Sequence, residues 1–165
     1  MDETPIRAGP IKTKTGKGKM RQGYYWVVYG DQDEVAFKFL NTRAHKCAAE
    51  ILGQFCGTLL SDGYRAYERY AEKESLVVHA QCWAHARRHF VDAENVEPKL
   101  VEQSLTYIRA LYKIEEECRG QEREKIQRLR AKHSFPVVQE FFRFLEEALS
   151  KMVLLDSNPF SKAAS

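Results

Sequence analysis

The sequence contains no Cys-x-x-Cys pair, no secretory leader, and no apolar run near the ~20 residues that a membrane-spanning helix needs. Its four cysteines, Cys47, Cys56, Cys82 and Cys118, are scattered. They read as reduced thiols of a cytoplasmic protein rather than a disulfide framework. A large excess of one charge sign is also lacking, with 26 Lys and Arg against 23 Asp and Glu. A net +3 over 165 residues permits a nucleic-acid partner without demanding one. Apolar residues make up 44% of the chain and aromatics 12%, which excludes global disorder and supplies a core for one ordinary domain, with or without an insertion.

Hydrophobic periodicity divides the chain in two. "YYWVVYGD" (24–31) and "VAFKFLN" (35–41) are rich in aromatic and β-branched residues and flank the turn "DQDE", so they predict an antiparallel hairpin. "RAHKCAAEILGQF" (43–55) has helical spacing and is broken by Gly57. A short strand (58–62), a short helix (64–72), a strand-like run (75–82) and a helix (83–94) follow. From Glu97 to Met152 nearly everything reads helical, with Pro136 near the start of one helix. This order predicts a mixed α/β sheet followed by a helical block. Both ends read as interrupted elements. "MDETP" resembles the tail of a strand, and "NPFSKAAS" opens a helix with Asn158 or Ser157 as cap and Pro159 in the first turn. The expectation is a fragment of a longer protein.

Four places invite chemistry. In "LLSDGYRAY", Asp62 follows an apolar run. Burying a carboxylate there is costly unless it caps the next helix or meets a cation. Asp2 reads by itself as a solvated tail. If its strand lies beside 58–62, however, the two carboxylates meet at one edge and repel unless a cation such as Mg²⁺ or Mn²⁺ lies between them. In "VHAQCWAHARRHF", Cys82 and His85 form a Cys-x-x-His pair that lacks the second half of a zinc site. The other reading of this segment is an ordered polar site, with Arg88 on the His85 face and Arg87 to one side. Lys12, Lys14, Lys17, Lys19 and Arg21 lie among Gly and Thr in "KTKTGKGKMRQG", which reads as an exposed basic loop able to follow a DNA backbone. The charged run from Arg119 to Lys132 interleaves glutamates and reads as a solvated, ion-paired helix.

Taken in order, "DET", "LLSDGYRAY", "CWAHARRHF" and "EREKIQRLR" resemble the insertion-sequence 66 family of bacterial transposases over nearly the whole chain. That resemblance implies a ribonuclease H-like α/β core over residues 1–95, a helical insertion over 96–156, and the start of a further core segment at 157–165. It also implies a triad of two aspartates and one glutamate binding Mg²⁺ or Mn²⁺. Asp2 and Asp62 take the aspartate positions. Cys82, His85 and Arg88 are supporting residues. DNA, as transposon ends and target, is the partner, contacted by the basic loop and Arg87. A homo-oligomer is possible, whereas a membrane or a small-molecule substrate is not expected. The family's glutamate lies beyond the helical insertion. Glu140, Glu146 and Glu147 do not fit its motif, so the expected fragment holds two of three carboxylates and is inactive alone. Two other readings remain, a non-catalytic DNA-binding module and a helical interaction domain.

Overall fold

The computed structural model describes residues 1–11, 19–151 and 154–164. They form two compact units, Met1–Cys82 and Trp83–Ser165.

In the first unit, β1 (Asp2–Ile11), β2 (Lys19–Tyr29) and β3 (Val35–Leu40) form an antiparallel sheet in that order. The β2–β3 turn closes through the Gly30 N–H, which donates to Glu34 O at 2.8 Å, and Asp33 takes the left-handed conformation with φ 64°. The helix α1 (His45–Leu52) leads to β4 (Gly57–Ser61). The helix α2 (Arg65–Ala71) then crosses over to β5 (Val77–Gln81), which pairs parallel with β4. The buried core comprises Trp26, Cys47, Ala48, Leu59, Ala66, Tyr67, Tyr70 and Val77. Trp26 and Tyr67 meet edge to face, with ring centroids 6.0 Å apart. Alternation explains the selection. Trp26 is the inward residue of β2, whereas Tyr25 and Tyr29 on the opposite face are exposed.

Four sequence expectations need correction here. Among the described residues the strands form two sheets, β1–β2–β3 antiparallel and β4–β5 parallel, and not one mixed sheet. Asp2 opens β1 instead of ending a strand, because the segment through Ile11 pairs with the aromatic β2 from Asp2↔Val27 to Ile11↔Lys19. Pro5 is tolerated because β1 is an edge strand, where a missing donor costs little. The basic segment is not wholly loop, since Lys19 and Arg21 belong to β2 and cross-strand pairing overrides their loop-like composition. The first helix ends at Gly53, whose φ of 56° suits glycine, and Gly57 instead opens β4.

In the second unit, α3 (Trp83–Asp92), α4 (Pro98–Cys118), α6 (Phe135–Lys151) and α7 (Pro159–Ala164) surround Phe90, Val101, Ile108, Phe141, Leu145 and Phe160, and α5 (Arg123–Leu129) lies between α4 and α6 in the chain. Phe90 contacts both Phe141 and Phe160, with centroids at 5.8 and 5.7 Å. Asn158 caps α7 by accepting from the Phe160 N–H at 2.8 Å. Pro136 lies in the first turn of α6, as its place near the start of a helix predicts. A π-helical stretch, Arg130–Ser134, joins α5 to α6, and the Phe135 N–H reaches back to Arg130 O. This wider turn accommodates the proline, which would disrupt a regular α-helical turn. The charged α5 buries nothing, and a bidentate Arg130–Glu115 pair (2.8 and 2.6 Å) ties the stretch after it to α4.

Candidate metal centre

The ends of β4 and the start of β1 meet within the first unit. The Met1 amino group donates to Leu60 O at 2.8 Å, which draws the beginning of β1 to the end of β4. Beyond Leu60, the chain turns at Ser61–Gly63. Gly63 has φ 84°, a conformation that strongly favours glycine. Ser61 is buried, and its hydroxyl lies 2.9 Å from His79 Nε2 on the neighbouring β5. The turn then delivers Asp62, half-buried, whose Oδ1 accepts the Tyr64 N–H at 3.0 Å. This Asx-type bond satisfies one face of the carboxylate and leaves the rest of it directed at its neighbours.

Those neighbours are Asp2 and Glu3. One carboxylate oxygen from each of Asp2, Glu3 and Asp62 lies within 4.8 Å of the others. The structure therefore brings together the two aspartates singled out in the sequence, and adds a glutamate that sequence reasoning missed. Asp2 is exposed, and its Oδ1 accepts the Glu3 N–H at 2.7 Å. Glu3 is different in kind. It stands opposite Trp26 in the β1–β2 register, and its side chain is 0% exposed. A carboxylate so placed requires partners. Tyr67 Oη and Arg43 Nε both donate to it. Burial raises the Glu3 carboxyl above its usual range, the bonds from Tyr67 and Arg43 oppose that rise, and the nearby Asp62 charge adds to it. The Tyr67 hydroxyl is pushed up as well, first by burial and then by its bond to Glu3.

Arg43, between β3 and α1, completes the cluster. Its Nη2 lies 3.8 Å from Asp62 Oδ2, and its guanidinium lies 4.0 Å from the centroid of the Tyr64 ring. Tyr64 in turn donates through its hydroxyl to the Arg43 carbonyl at 2.6 Å. Two of the three carboxylates, Glu3 and Asp62, thus face the Arg43 guanidinium. The donor set is hard oxygen only, which suits Mg²⁺ or Mn²⁺ better than zinc, whose structural sites favour thiolate and imidazole. Oxygens on opposite sides of an octahedral Mg²⁺ stand about 4.2 Å apart. A spread of up to 4.8 Å therefore needs only small side-chain adjustments to hold such an ion.

Of the other residues singled out, Arg21 and Cys82 belong to the first unit and His85, Arg87 and Arg88 to the second. Cys82 is half-buried at the end of the first unit, where its N–H donates to Ser61 O at 2.9 Å. His85 is half-buried on α3 in the second unit, and its Nδ1 is buried with no hydrogen-bond partner among the described residues. Arg87 and Arg88 are exposed on α3. Arg21 is exposed on β2, and Lys19 pairs through its backbone with Ile11. Lys12, Lys14 and Lys17 lie outside the described residues. All four cysteines are free, and no described helix is long and apolar enough to cross a membrane.

Comparison with known proteins extends this picture. The uncharacterized protein y4qI of Sinorhizobium fredii is 30% identical over 152 residues, covering 83% of this chain and 28% of its own length. The uncharacterized protein y4jD of the same organism is 35% identical over 113 residues, covering 64% of this chain and 22% of its own. The chain thus spans only about a quarter of the length of these curated relatives. No solved structure matches. Residues 1–164 match the sequence profile described as "Transposase IS66 family". The chain belongs to the IS66 family of transposases.

Proposed function

We propose that this chain supplies the first part of a ribonuclease H-like catalytic core to a transposase that cuts and joins DNA at transposon ends. The observation that carries the reading is the convergence of Asp2 and Asp62 oxygens from the start of β1 and the turn after β4. The element order of that unit supports it, with three antiparallel strands followed by α1, β4, α2 and β5. In this reading residues 1–95 are the partial core, 96–156 a helical insertion, and 157–165 the lead into a further core segment.

Asp2 and Asp62 would hold Mg²⁺ or Mn²⁺, which when bound offsets their mutual repulsion and supplies positive charge facing a DNA phosphate. The chain's own residues prepare that place. The Asx turn fixes one Asp62 oxygen, Gly63 allows the sharp exit, and the Ser61–His79 contact joins β4 to β5 just below the turn. The reaction assigned to the longer protein is attack by water, and then by a DNA 3′-hydroxyl, on a phosphodiester. No side chain serves as nucleophile, so positioning and electrostatics carry the catalysis. The third carboxylate of the triad is assigned to a part of the protein that none of this chain's glutamates represents. Arg21, Arg87 and the lysines at 12, 14, 17 and 19 are assigned to the DNA backbone. Cys82, His85 and Arg88 are assigned a supporting role. DNA is the partner, and assembly into a homo-oligomer belongs to the same proposal.

The test is Mn²⁺ titration followed by electron paramagnetic resonance on the wild type and on Asp62→Asn and Asp2→Asn. The reading expects saturable binding that either substitution weakens at least about tenfold, as loss of one of few charged hard ligands should. Binding indifferent to both substitutions would overturn it. If DNA binding survives in that case, with a steep salt dependence, the non-catalytic DNA-binding reading takes its place.

A further inference from the structure

We infer that Arg43 is the internal counter-cation of the acidic cluster, which gives up Asp62 when a divalent cation enters while staying anchored on Glu3 and Tyr64. The inference rests on the proposed metal centre and assigns roles within it. Arg43 becomes a positioning residue. Glu3 becomes its anchor and not a metal ligand, which leaves Asp2 and Asp62 as the ligands this chain contributes.

The asymmetry of the contacts around Arg43 carries the argument. On one side its Nε donates to Glu3, whose side chain is fully buried and also receives the Tyr67 hydroxyl. A buried carboxylate cannot readily lose a charged partner without a large desolvation cost. The backbone at Arg43 is held by the Tyr64 hydroxyl, and the guanidinium is stacked on that same ring at 4.0 Å. On the other side, Nη2 stands 3.8 Å from Asp62 Oδ2, beyond hydrogen-bond length. That contact is electrostatic only, and the Arg43 side chain is 42% exposed to solvent. It is the contact a small dication displaces most easily. The guanidinium is planar and presents its donors in a fork, so it can bind Glu3 through Nε while its outer nitrogens turn elsewhere. A phosphate oxygen arriving with DNA is one acceptor they could meet.

Competition for Asp62 has a measurable sign. Removing the Arg43 charge should tighten divalent binding, whereas a purely structural arginine would weaken binding when lost. Manganese titration by electron paramagnetic resonance on wild type, Arg43→Gln, Arg43→Lys and Asp62→Asn separates these. The expected result is Mn²⁺ binding tighter in Arg43→Gln by about tenfold, the scale of one nearby charge at partly screened distance. Arg43→Lys should stay near wild type, and Asp62→Asn should lose binding. Arg43→Gln binding no tighter than wild type, with Asp62→Asn still deficient, overturns the role of Arg43 and leaves the metal centre standing. Binding insensitive to Asp62→Asn overturns both. The anchor role has its own test. Glu3→Gln frees Arg43 to pair with Asp62 and should weaken Mn²⁺ binding, and the double variant Glu3→Gln/Arg43→Gln should restore it. A double variant as weak as Glu3→Gln makes Glu3 a ligand and overturns the anchor role. Should Arg43→Gln fail to fold, the wild type still decides. On Mg²⁺ addition the Arg43 Nη resonances should shift while the bonded Nε–H persists, and unchanged Nη resonances at saturation would overturn the inference.

Discussion

Removing the Tyr67 hydroxyl isolates the energetics of the buried carboxylate. Tyr67 is fully buried, packs edge to face on Trp26, and donates through its hydroxyl to Glu3. Phenylalanine keeps the ring and its packing, so the loss is confined to one charge-assisted hydrogen bond. Such a bond to a buried carboxylate contributes about 2 kcal/mol, because the acceptor is left with one donor fewer and no access to water. For a unit of this size that corresponds to a fall in Tm of roughly 10 °C. The effect should depend on pH in a definite direction. Burial holds the folded Glu3 carboxyl above its ordinary 4.5, so the folded state takes up a proton more readily than the unfolded chain. This contribution favours folding at low pH, and it is lost as pH rises from the ordinary carboxylate value through the raised one. The Tyr67 bond opposes the rise, so Tyr67→Phe pushes the carboxyl higher still. The destabilisation should be largest at pH above the raised titration of Glu3 and shrink as pH falls through it, where the carboxyl becomes neutral first in the variant. Urea unfolding followed by Trp26 fluorescence, in a Trp83→Phe background so that only the first unit reports, measures this. A loss below about 0.5 kcal/mol, or one independent of pH, would refute the reasoning.

Two further substitutions probe the scaffold. Phe141→Ala should cost about 3–5 kcal/mol in the helical unit, because Phe141 is buried and touches Phe90, Trp83, Tyr107 and Phe142, and far-UV circular dichroism melts would register it. Gly63→Ala should cost about 1–2 kcal/mol and reduce Mn²⁺ affinity together, since φ is 84° and the added Cβ would sit 3.4 Å from Gln81 Cδ. Calorimetry and manganese titration on the same preparation check both effects.

Much of this arrangement was legible in the residues. Asp62 stood out because a carboxylate and a glycine ended an apolar run, and local chemistry alone forces a turn there. The hairpin from Tyr24 to Leu40 followed from alternation, and Asn158 and Pro159 marked the start of α7. What escaped has a common cause, because it depends on partners distant in sequence. Glu3 sits beside Asp2 in "DET", and only the register opposite Trp26 makes it a buried residue. The acidic pair was the available signal, but nothing local distinguishes a solvated glutamate from one that accepts a hydrogen bond from Tyr67 on another element. Arg43 lies in the linker "NTRAH" without periodicity, and its role exists only once α2 brings Tyr64 beneath it. The extension of β1 to Ile11 and of β2 back to Lys19 was hidden by Gly, Lys and Thr, whose loop-like composition cross-strand pairing overrides. Continuity through Pro136 depended on a π-helical turn that no residue type announces.

If Asp2 and Asp62 share a hard cation, a crystal soaked in Mn²⁺ shows it in an anomalous difference map. One peak is expected between the two carboxylates, at roughly 2.1–2.3 Å from an oxygen of each as small hard dications require, with Arg43 still on Glu3. A map with no peak within bonding distance of either aspartate, at Mn²⁺ concentrations that saturate the solution titration, would contradict it.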